Sequence, residues 1–134
     1  MKRAPSPLVA ALLLAALAAT PTASADPMKF VVLRGLDKIT AHVSTFTAPI
    51  GQMVTFGALQ ITARSCDKRP PEEVPESAAF LEIVEARPGE DPQKLFSGWM
   101  FASSPALSAL ESPIYDLWVL DCTNESSIPA GTSP

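Results

Sequence analysis

The chain has one histidine, one tyrosine, two tryptophans and two cysteines in 134 residues. Each scarcity excludes a chemistry. A Ser–His–acid set would have to use His42. No serine stands in a Gly-x-Ser-x-Gly elbow, because Ser97-Gly98 lacks the preceding glycine. A cysteine nucleophile would require Cys66 or Cys122 to stay a thiol. Their spacing is far from Cys-x-x-Cys, and two thiols do not complete a zinc site. No acid-rich loop offers the oxygens that calcium needs, and no glycine loop cradles a phosphate. Acidic residues occur as Glu72 with Glu73, Glu90 with Asp91 and Asp116 with Asp121. Proximity in sequence does not set two carboxyls across a cleft, which glycosidase chemistry requires. The expectation is a protein without catalytic residues, metal or cofactor.

The chain has only one long apolar run. Lys2 and Arg3 precede the unbroken Leu, Val and Ala of positions 8–19, and Ala23-Ser24-Ala25 is a small-x-small cleavage pattern. Residues 1–25 therefore read as a signal peptide, and the mature chain as beginning at Asp26. The run is short for a bilayer span, and no second one follows. The mature chain is expected to have no membrane span and to reside in the periplasm. Removing residues 1–25 takes away two of the ten basic residues and none of the fourteen acidic ones, leaving a formal charge of −6. That balance, with no basic run, argues against nucleic acid and anionic membrane surfaces. In an oxidising compartment the default for two cysteines is one disulfide, Cys66 to Cys122.

What is present reads as a single all-β domain over residues 26–122, a small sandwich or barrel of about seven strands with one short helix. Phe30–Leu33 is the first strand and Arg34–Asp37 the turn after it. Ile39–Ser44 alternates as a half-exposed strand. Met53–Phe56 and Ala58–Cys66 are strands around Gly57, with Leu59, Ile61 and Ala63 facing in. Strict phase puts Cys66 on the outer face, so the disulfide is expected at a strand end or beyond a bulge. Residues 67–76, DKRPPEEVPE, read as a solvated connector whose prolines and charges guard a sheet edge. Ala78–Ala86 and Leu95–Phe101 form a hairpin. Residues 123–134 are expected to be a disordered tail.

The densest stretch is Leu95–Cys122, with both tryptophans and the tyrosine. Its first strand is apolar on both faces and is therefore expected to be central. Ser103 and Ser104 before Pro105 predict the start of a one-and-a-half-turn helix. Leu107 and Leu110 share its face, and Pro113 ends it. In the last strand Tyr115, Leu117 and Val119 point one way and Trp118, Leu120 and Cys122 the other. Asp116 shares the phase of Trp118. If buried it needs a partner, for which Arg34, Arg64 or backbone amides are candidates.

Four blocks carry a family resemblance: Val32 to Lys38; Lys68-Arg69-Pro70-Pro71-Glu72; Phe96-Ser97-Gly98-Trp99-Met100-Phe101; and Pro105 through Tyr115-Asp116 and Trp118 to Cys122. Together they resemble the bacterial domain-of-unknown-function family 2155 over nearly the whole mature chain. The resemblance implies a small exported protein of a Gram-negative bacterium and brings no activity with it. The family often has a histidine before the proline at the helix end. Here that position is Ser112, which argues against histidine chemistry there. The two cysteines match the family pattern and support the disulfide.

Two functions follow as expectations. The first is a non-enzymatic periplasmic module that binds another envelope protein, with Leu107 and Leu110 presented by the helix. The second is a small-ligand binder with an aromatic pocket of Trp99, Tyr115 and Trp118. An envelope hydrolase built on His42 and Asp116 is the remaining alternative. Oligomeric state is not legible.

Overall fold

The computed structural model describes residues 25–126. The signal-peptide expectation, apart from Ala25, and the tail beyond Ser126 lie outside the described residues. Eight strands occur in the order β1 (Asp26–Pro27), β2 (Phe30–Asp37), β3 (His42–Pro49), β4 (Met53–Phe56), β5 (Leu59–Lys68), β6 (Ser77–Glu85), β7 (Gln93–Phe101) and β8 (Tyr115–Thr123). They form two antiparallel sheets. One has the order β3-β2-β8. The other has the order β1-β5-β6-β7, with β4 sharing the β1 edge of β5. The sheets face each other as a sandwich, and neither closes into a barrel.

Period-two alternation builds the core. Leu59, Ile61 and Ala63 from β5, Ala79, Leu81 and Ile83 from β6, Val31 and Leu33 from β2, and Leu117 and Val119 from β8 are buried between the sheets. The intervening residues face out.

Several expectations change. Arg34–Asp37 is not a turn. It completes β2, paired with Thr45 to His42 on one side and with Trp118 to Tyr115 on the other. Gly35 serves close approach: a Cβ there would lie 2.8 Å from the Phe56 ring. The turn falls later, where Asp37 Oδ1 accepts the amides of Ile39 and Thr40 and Ala41 adopts φ +57°. Strand β3 therefore begins at His42, and Ile39 is exposed. Strand β7 is an edge, not a central strand. Its second apolar face lies on the outside of the sandwich, where Trp99 meets Phe80 edge-on at 5.6 Å. The helix reduces to a single 3-10 turn, Pro105–Leu107, with no side-chain cap from Ser104. The segment is too short to repay helix nucleation. Thr123 closes β8 rather than opening a tail.

Bulges resolve the cysteine phase. The register shifts between Ala63 and Ser65 in β5, setting Arg64 aside, and between Val119 and Asp121 in β8, setting Leu120 aside. Each bulge turns the following cysteine inward. Cys66 and Cys122 form a disulfide with a Cα–Cα distance of 5.6 Å, near the ends of their strands and fully buried. It ties one sheet to the other.

The opposite end is tied by Tyr115. Its hydroxyl accepts the Ala58 amide at 3.0 Å, and its ring packs on the two-residue β4–β5 turn. Gly57 there has φ +56°, and a Cβ would lie 2.5 Å from Tyr115 Oη. Gly57→Ala is expected to destabilise the domain by about 2–3 kcal/mol, through positive φ and a displaced tyrosine. Denaturant unfolding measures this, and an unchanged midpoint would contradict the tie.

Candidate functional site

A cleft of about 770 Å³ opens at the disulfide end of the sandwich. Four remote pieces of sequence build it. Asp26 and Met28 come from β1 and the residues just after it. The proline-rich stretch from Lys68 to Ser77 forms one wall. Ala102, Ser103, Leu120 and Asp121 form the other. The proline-rich segment is therefore more than a connector. Leu120 is 37% exposed. Leu120 keeps the outward phase of Asp116 and Trp118, and the bulge after it turns Asp121 outward as well, so that the two adjacent residues both reach the cleft.

Several polar groups of the cleft are already mutually engaged. Asp121 Oδ1 accepts the Ser77 hydroxyl at 3.1 Å and the Cys122 amide at 2.9 Å, and pairs with Lys68 Nζ at 3.0 Å. Glu76 clamps the loop to the β7 exit. One carboxylate oxygen accepts the amides of Ser77 and Ser103, and the other accepts the Ser103 hydroxyl. The Arg69 amide donates to the Glu76 carbonyl, closing the loop base at 3.0 Å.

Burial pushes the Glu76 carboxyl up, but the Ser103 hydroxyl, the Ser103 and Ser77 amides and the nearby Arg69 charge together hold it below its ordinary value. Because the folded-state value is the lower one, this stabilisation is fully present above the unfolded value of about 4.3 and is lost as pH falls through the folded value. Amide exchange at Ser77 and Ser103 is therefore expected to accelerate below about pH 4 more than at Leu81 in mid-strand. Glu76→Gln should remove that pH dependence. Equal acceleration at all three amides would contradict the clamp.

The residues singled out from sequence do not converge. Trp99 lies on the outer face of the β5-β6-β7 sheet, where it is 40% exposed. Trp118, cross-strand from Arg34, lies on the outer face of the other sheet. Tyr115 faces inward at the far end. The three do not line one pocket. Leu107 and Leu110 do not share a surface: Leu107 is exposed on the 3-10 turn, and Leu110 is in the core.

Asp116 pairs with Lys38 at 3.0 Å, not with Arg34 or Arg64. Arg34 donates to the Thr45 hydroxyl, and Arg64 pairs with Glu82. His42 stacks on Phe56 in a recess of about 240 Å³ at the end away from the cleft. Its cross-strand neighbour Asp37 has one carboxylate oxygen committed to turn amides. His42 and Asp116 lie on opposite faces of their sheet, and Ser77 lies in the other sheet at the far end of the sandwich, so the three do not form a triad. Among the described residues no three His, Cys, Asp or Glu side chains group as metal ligands, and no helix is long and apolar enough to cross a membrane.

The cleft went unrecognised in the sequence because its parts are distant along the chain. The signals that bear on it are the prolines and the phase of Cys122, which in strict alternation stands opposite Leu117 and Val119 and so needs a bulge to reach the core.

Comparison with known sequences places this geometry in a lineage. The pattern of a family described as an uncharacterized protein conserved in bacteria matches residues 31–122. The chain belongs to domain-of-unknown-function family 2155. The matched span of the family runs from β2 to β8 and includes both cysteines, the proline-rich wall, Ser77, Ser103, Leu120 and Asp121. Asp26 and Met28 fall just before it. An uncharacterized protein of Rickettsia prowazekii (strain Madrid E) is 36% identical over 87 residues, covering 65% of this chain and 56% of that protein. The chain thus spans little more than half the length of that relative. No solved structure matches.

Proposed function

We propose that this protein is an exported, non-enzymatic envelope domain that holds a segment of a partner polypeptide in the cleft beneath the proline-rich loop. One observation carries the reading: an exposed leucine, Leu120, lines a cleft in which Lys68, Glu76, Ser77, Ser103 and Asp121 already engage one another. Such a lining is suited to receiving an apolar side chain and offers no activated nucleophile. Met28, Leu120 and the ring faces of Pro70, Pro71 and Pro75 supply apolar contact. Arg69 and Glu73 at the loop supply charges of both signs for orientation. Export rests on residues 1–25, and a buried disulfide between the sheets suits an oxidising compartment.

Leu120 is replaced by a photocrosslinking amino acid in the protein expressed in its own cells. Exposed Ile39, at the other end of the sandwich, serves as the control position. The expected result is one envelope protein crosslinked from position 120 and absent from position 39. Equal crosslinking from both positions, or none from 120, would contradict the reading.

A further inference from the structure

The β7 edge has an open window of five residues. In the β6–β7 ladder the Ala102 amide donates to the Ser77 carbonyl, which fixes the alternation. Gly98 and Met100, like Ala102, turn their backbone groups toward β6, and Ser97 and Trp99 turn theirs outward. The window is closed at one end by the bulge at Leu95. It is closed at the other by the turn in which the Ser104 amide takes the Phe101 carbonyl. Phe96 to Met100 remain, and Gly98 is their centre.

This edge lacks guards that most of the others have. Strand β1 is two residues ending in Pro27, β4 is four residues, and β8 is bent by its bulge, while β3 carries a proline only at its last position. The window holds neither proline nor charge.

We propose that β7 pairs antiparallel, about a two-fold axis at Gly98, with β7 of a second copy of this chain. The window complements itself in size, small Ser97 against large Trp99, and this favours a second copy over an unrelated strand. With Gly98 opposite Gly98, Ser97 faces Trp99 of the second copy, and the outward amides and carbonyls of both residues meet in four hydrogen bonds. On the outer face each tryptophan lies against a serine, large against small. On the inner face Phe96 meets Met100. No like charges oppose, because Lys94 lies outside the window. The pairing joins the two sheets into one and leaves the clefts apart from the axis, since neither Gly98 nor its neighbours line them.

Sedimentation of the full mature chain over about 1–100 µM tests this, a range that spans ordinary micromolar dimers. A monomer–dimer equilibrium is expected for the unaltered chain. Ser97→Lys places a charge in the window and should weaken dimerisation at least 100-fold, with an unchanged circular dichroism spectrum. Gly98→Cys reports the register. The added Cβ meets only Phe96, at 3.5 Å, so the fold accommodates it. Oxidation should then link two copies through residue 98, because directly opposed residues in such a pair lie within disulfide reach. A monomer throughout the range overturns the proposal. So does a dimer indifferent to Ser97→Lys, or a β7 edge found paired with a strand of another protein.

Discussion

Replacing Cys66 and Cys122 together by alanine is expected to lower the stability of the domain by roughly 4 kcal/mol. The two residues are 56 apart in sequence, and the chain-entropy cost of closing a loop of that length in the unfolded state is of that size. The bond also joins β5 of one sheet to β8 of the other, close to the cleft. Its loss frees the two sheets to separate at the end where Asp121 and Lys68 meet. For a domain of this size the melting temperature should fall by roughly 15–30 °C. Thermal and denaturant unfolding of the double variant against the unaltered protein measures the effect. Thiol labelling of the denatured, unreduced protein from its own cells should find no free cysteine. A loss below about 1 kcal/mol would mean that the sandwich holds without its inter-sheet tie.

Leu33→Ala is expected to cost about 2–5 kcal/mol. Leu33 is 0% exposed at the middle of β2, the central strand of its sheet, between Phe46 of β3 and Val119 of β8. Truncation there leaves a cavity with strands on both sides, and neither can move inward without disturbing its own ladder. Ile39→Ala is the matching control. Ile39 is 75% exposed on the β2–β3 turn, so its loss should stay within about 0.5 kcal/mol. The pair separates packing from hydrophobicity, since both side chains are large and aliphatic. Similar losses at the two positions would contradict the assignment of residues 34–37 to β2, because a turn there would leave Leu33 at a strand end.

Much of the fold was legible in the alternation of side chains. Leu59, Ile61 and Ala63 facing inward, the hairpin of β6 and β7, and the tight turn at Gly57 all follow from period two and from glycine at positive φ. What misled was residue type without context. Arg34, Gly35 and Asp37 are ordinary turn residues, yet Gly35 is there because a phenylalanine ring passes over it. Two apolar faces on β7 suggested a central strand, yet one face lies outside the sandwich. Serine before proline marked a helix start, but the segment to Tyr115 must also place Leu110 in the core, and one 3-10 turn is all that forms.

The site was less legible than the fold. The aromatic residues of the last third attract notice because they are large and few. Their positions on two outer faces and one inner end depend on strand pairing, which local sequence does not specify. The cleft depends on the β8 bulge, which turns Asp121 outward beside Leu120 and Cys122 inward, and strand pairing rather than local sequence sets that break in alternation. Chain segments some fifty residues apart, each ordinary alone, become a site only when both sheets are assembled.

The most direct test of the cleft is binding of the crosslinked partner segment, made as a synthetic peptide, to the unaltered protein and to Leu120→Lys. Titration calorimetry should show binding to the first and at least a tenfold weaker affinity for the second, about 1.4 kcal/mol, with both proteins melting at the same temperature. Equal affinity for the two proteins would contradict the cleft as the binding site.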